Sequence, residues 1–91
     1  MKYQVEVEGH SATLSLGTPS GDGKFTGSIQ SDEYGSGSIS GMWVGDHITG
    51  SMLLDGHSAS FGATVSGANI VGTIRVGIFW SKNFTGMAIP A

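Results

Sequence analysis

The sequence predicts an all-β domain, a small eight-stranded antiparallel up-and-down (meander) β-barrel, and three observations carry that reading. Apolar and polar residues alternate with period two in short runs, the mark of strands with one buried face. Gly, Asp, Asn and Ser punctuate the runs, and the connections are too short for crossovers, so neighbouring strands pair antiparallel. The composition agrees. Among 91 residues stand 16 Gly, 13 Ser and 7 Thr, and 12% are charged against an average of about 25%. That excludes a charged helical bundle, a coiled coil and a charge-driven disordered tail.

Alternation marks strands at residues 2–8, 10–16, 24–30, 34–44, 47–54, 57–66, 69–80 and 82–89. The first two join at Glu8-Gly9, a two-residue turn that sets Val7 opposite His10, Val5 opposite Ala12 and Tyr3 opposite Leu14. Residues 17–23, Gly-Thr-Pro-Ser-Gly-Asp-Gly, make the one long connection and are expected to form a flexible flap. Gly45-Asp46 joins the fourth and fifth strands with Trp43 opposite Ile48. Asp55-Gly56 is a type I′ hairpin signal that sets Leu54 opposite His57, Met52 opposite Ala59, Gly50 opposite Phe61 and Ile48 opposite Ala63. Gly67-Ala68 then sets Val65 opposite Ile70. Every register keeps one face apolar.

Eight such strands either close into a barrel or flatten into a β-sandwich, and closure is expected because an open meander leaves two unpaired edges and a bare core face. The outward positions are rich in Ser, Thr, Lys, Glu and Gln, the reverse of an outer-membrane barrel. A single domain over residues 1–91 is expected, with a core limited by the short chain.

The formal net charge is −3, and Lys2, Lys24, Arg75 and Lys82 form no basic stripe, so neither nucleic acid nor a membrane is expected as a partner. With no Cys there is no disulfide framework and no thiolate metal site. No cofactor and no metal are expected. The alternating N-terminal residues do not read as a signal peptide, and the apolar run at 76–80 is far shorter than the roughly 18 residues of a spanning helix. A soluble, cytoplasmic protein is the expectation.

The inward face is almost wholly apolar, and its glycines leave room near the wall. Trp43, Trp80, Phe61 and Met52 are the expected lining of a cavity for a small hydrophobic ligand. The competing reading is a filled core, in which inward Gly lets a tightly curved sheet bend and is covered by a neighbouring aromatic, Gly50 by Phe61 and Gly27 by Phe25 or Ile39. His10 and His57 are polar positions in inward register. They fall at one end of the barrel with Glu8, Asp32, Glu33, Asp55, Lys82 and Asn83, groups that could line a ligand mouth, hold a divalent metal or serve acid–base chemistry. Strands two and six, however, lie nearly opposite each other around the ring, which sets the two imidazoles apart. On the outward face Val71, Phe79, Met87 and Ile89 break the Ser and Thr pattern and predict a homo-oligomer interface, with Met42, Val44 and Leu53 as a weaker second patch.

Other motifs lack their context. Residues 19–24 have no Gly-Lys-Ser/Thr ending and no following helix to cradle phosphate. Gly41-Met42-Trp43 resembles the Gly-x-Trp of lipocalins and other calycin barrels, but stands on the fourth strand of a shorter chain, which reads as convergence of architecture. Three functions follow as expectations. The first is a non-catalytic binding module for a small hydrophobic ligand in the interior or mouth. The second is a structural or protein-interaction homo-oligomeric module with a filled core. The third is a small hydrolase or isomerase using the His and carboxylate rim.

Overall fold

The computed structural model describes residues 1–33, 35–54, 56–77 and 80–89. Eight strands follow one another: β1 (Lys2–Val7), β2 (His10–Leu16), β3 (Lys24–Ser31), β4 (Gly35–Val44), β5 (His47–Leu54), β6 (His57–Ser66), β7 (Asn69–Val76) and β8 (Trp80–Ile89). Each pairs antiparallel with the next, and β8 returns to β1 to close the barrel. The closing ladder sets Tyr3 opposite Ala88 and Val5 opposite Gly86. Closure removes the two edges that a meander would expose.

The hairpin registers are those the alternation requires: Tyr3 faces Leu14, Trp43 faces Ile48, Gly50 faces Phe61 and Val65 faces Ile70. Short turns hold them. Glu8 and Gly9 both have positive φ, at 51° and 81°, as a type I′ turn demands. Four features differ from expectation. The seventh strand ends at Val76, where Gly77 with φ 65° turns the chain, and Trp80 opens β8 opposite Val76 instead of extending β7. The first strand stops at Val7 because Glu8 belongs to the turn, and the third runs on to Ser31, opposite Ala12 and Gly35. Residues 17–23 are tied down rather than forming a free flap. Gly17 N–H donates to the Thr26 carbonyl at 2.9 Å, Gly23 N–H to Ser20 at 2.9 Å, and Trp43 N–H to the Gly23 carbonyl at 2.8 Å. The Ser20 hydroxyl donates to the Asp22 carboxylate, and this bond, with the Lys24 backbone, holds the Asp22 carboxyl below its ordinary pKa.

The core is the inward face of all eight strands, with Tyr3, Val5, Leu14, Phe25, Ile39, Ile48, Ile70 and Phe84 buried. Six inward glycines sit where the strands come closest. A Cβ at Gly27, Gly37, Gly41, Gly50, Gly72 or Gly86 would lie inside 3.0 Å of a carbonyl oxygen on the neighbouring strand. Aromatic rings close the gaps: Phe61 lies 3.1 Å from the position of a Cβ on Gly50, and Phe84 lies 2.7 Å from that on Gly72. For Gly27 the nearest atoms are the backbone of Ser15 and Leu16, not the Phe25 or Ile39 side chain.

Tyr3 is fully buried, and burial pushes its phenol above the ordinary pKa. The unfolded phenol therefore ionises first. Stability holds below about pH 10 and falls as pH rises past it, because the folded state retains the proton that the unfolded state has lost. Thermal melts from about pH 9 to about pH 11 are expected to show a steeper loss for the wild type than for Tyr3→Phe. Equal slopes would show that the phenol has no part in alkaline stability.

Candidate functional site

The aromatic and histidine residues singled out by the sequence do not form one site. Phe61 and Met52 belong to the packed core. Trp43 is half-buried and meets Phe25 edge to face, with ring centroids 6.0 Å apart and planes at 74°. Trp80 is 40% exposed: it opens β8 in the inward register of Phe84, but at the barrel rim and not within the wall. The Lys82 ammonium lies 6.0 Å from its ring centroid, a cation–π distance, and is 2.7 Å from the Glu8 carboxylate across the β8–β1 seam.

His10 and His57 are both exposed, so the inward register carries them to the mouth and not into the barrel. His10 pairs through Nδ1 with the Glu33 carboxylate, both side chains about half exposed. The rim is thus a set of solvent-facing pairs: Glu8 with Lys82 on one side, His10 with Glu33 on another. Exposed pairs of this kind contribute little to stability, ~0–1 kcal/mol each. Asp55, Tyr34, Ile78 and Phe79 lie outside the described residues. Among those described, no group of three or more His, Asp or Glu comes together that could hold a metal ion.

The outer wall offers a different arrangement. Across β5, β6, β7 and β8 the outward positions align in cross-strand rows. One runs Thr49, Gly62, Thr73, Asn83, and the next His47, Thr64, Val71, Thr85. Two hydrogen bonds brace these rows. The Thr73 hydroxyl donates to Asn83 Oδ1 at 3.0 Å, and Thr64 Oγ1 lies 3.3 Å from His47 Nδ1. Between them lies an open depression of about 610 Å³, with Gly62, Gly72 and Phe84 among its lining. Val71 stands 49% exposed at its margin, Met87 reaches 62% further along β8, and Val44 reaches 65% on β4. Ile89 is half-buried, and Leu53 is exposed on β5.

Sequence reasoning found Val71 and Met87 on this wall but passed over Gly62. The available signal was phase, since the other interior strand glycines fall on inward positions and Gly62 falls on an outward one. No helix among the described residues is long and apolar enough to cross a membrane. Comparison of the chain with protein-family models, with curated proteins and with solved structures returned no match.

Proposed function

We propose that this barrel is a non-catalytic interaction module with a filled core, which associates with a second copy of itself through the outer wall of β7 and β8. The exposure of Val71 and Met87 on a wall whose other outward side chains are mostly Ser, Thr and Asn carries this reading. Exposed apolar residues gathered on one face of a small domain favour an interface. The packing of Phe61 and Met52 against the glycine-bearing strands favours it over a ligand held in the interior. The rim readings lack comparable support, because its charged groups face solvent in pairs.

The test is sedimentation equilibrium across a concentration series. The wild type is expected to approach twice its 9.3 kDa chain mass, and the double variant Val71→Asp, Met87→Asp to remain at the single-chain mass. A wild type that stays at one chain mass at every concentration defeats the reading. Fluorescence of Trp43 and Trp80 during titration with fatty acids and aromatic dyes supplies the contrast. Saturable quenching by a micromolar probe would return the function to the interior or mouth.

A further inference from the structure

We infer that the contact between copies is built on Gly62, with Val71 of each copy seated in the depression over Gly62 of the other. The inference rests on the self-association proposed above and goes further in naming the contact. Gly62 is the described strand glycine that the fold itself does not require. Six others are too close to a neighbouring carbonyl to carry a side chain, and Gly35 has φ 83°. A Cβ on Gly62 would meet nothing nearer than the Ile48 carbonyl oxygen at 4.0 Å, and its φ is not positive. The ladder runs unbroken through it, Thr49 opposite on one side and Thr73 on the other, so no bulge calls for it. Glycine within a strand is less favourable than alanine, and once a bulge and a tight bend are set aside, its usual remaining cause is the close approach of a ligand or another backbone.

Charge, shape and area point to a second copy as the occupant. Among the described outward positions of β5 to β8, Arg75 is the one fixed charge, and there is no carboxylate. A chain of net charge −3 meets its own copy with least repulsion through such a face. The shape is self-complementary. Val71 stands opposite Thr64, two residues from Gly62, so knob and hollow are diagonal neighbours about 7–8 Å apart. A two-fold axis between them places each Val71 over the partner's Gly62, the reciprocal contact that a symmetric dimer makes. A stable interface buries roughly 800 Å² per partner, about one seventh of the 5611 Å² that this chain exposes, and β5 to β8 are half of the barrel wall.

The experiment uses Gly62→Lys and Val71→Asp, each checked for folding by circular dichroism, with Ser28→Lys on β3 as a control away from the wall. Gly62→Lys folds because its Cβ enters open space. Each wall variant alone is expected to weaken dimerisation by at least about tenfold, since it buries an unpaired charge, while Ser28→Lys keeps the wild-type mass. An equimolar mixture of the two wall variants is expected to recover the double mass, because the lysine of one faces the aspartate of the other. A dimeric wild type that Val71→Asp separates but Gly62→Lys does not would overturn this inference alone, as would a mixture that stays monomeric. A monomeric wild type overturns both it and the proposed function.

Discussion

Gly41→Ala is expected to destabilise the barrel by about 3 kcal/mol or more, whereas Gly62→Ala leaves the barrel as stable as the wild type or more so. The two glycines sit on β4 and β6, either side of β5, and differ by the face they occupy. A Cβ on Gly41 would lie 2.6 Å from the Gly50 Cα and closer still to the Thr49 carbonyl oxygen, so β4 and β5 must separate to admit it. Those obstacles are backbone atoms, which cannot swing aside as a side chain can. Overpacking of this kind sits at or above the upper end of the usual ~1–3 kcal/mol. A domain of 91 residues has roughly 5–14 kcal/mol in all, at ~0.05–0.15 kcal/mol per residue. At Gly62 the methyl enters open space, and relief of the glycine penalty is worth up to ~0.5–1 kcal/mol. Urea unfolding, at dilutions where the chain is a monomer, checks the pair: the Gly41 variant should lose at least ~1 M in its midpoint and the Gly62 variant keep or raise it. Equal losses at both positions would mean that the wall hollow is not open.

The same contrast explains which parts of the structure were legible in the sequence. Period-two alternation with two-residue turns at Glu8-Gly9, Gly45-Asp46 and Gly67-Ala68 leaves one register per hairpin, because a slip by one residue would turn every apolar side chain outward. The end of β7 was not legible. Residues 76–80 form a run whose apolar character breaks the alternation, so phase could not show that the chain turns at Gly77. The pairing of Glu8 with Lys82 depends on β8 lying beside β1, a contact between the two ends of the strand order that no local pattern encodes. For His10 the inward register was legible but its depth was not. It occupies the first place of β2, where inward means over the mouth. Gly62 was hidden by number, one glycine among 16, until the strand faces separated it from the rest.

Phe84→Ala is the second large effect expected, and it joins the core to the wall. Phe84 is 3% exposed on β8, opposite Gly72, and its ring fills the place of the side chain that Gly72 lacks. Truncation removes the ring from its packed surroundings and leaves a void at a point where the neighbouring residue has no side chain to collapse into it, so the cost is expected in the ~3–5 kcal/mol range of buried aromatic truncations. With a urea slope of ~1–3 kcal/mol/M for small proteins, the midpoint should fall by at least ~1 M. Phe84→Leu keeps most of the volume and should lose less, on the order of 1 kcal/mol. Because the buried Phe84 also lines the depression beside Gly62, the alanine variant should open a path from the wall into the core and bind an environment-sensitive hydrophobic dye that the wild type excludes. A loss below about 1 kcal/mol with no new dye binding would mean that the wall is sealed by the strands themselves. The wall hollow and the packed interior would then be independent features of the barrel. A loss in the full range, with dye binding, would show that the ring covering Gly72 is also the floor on which the outer contact rests.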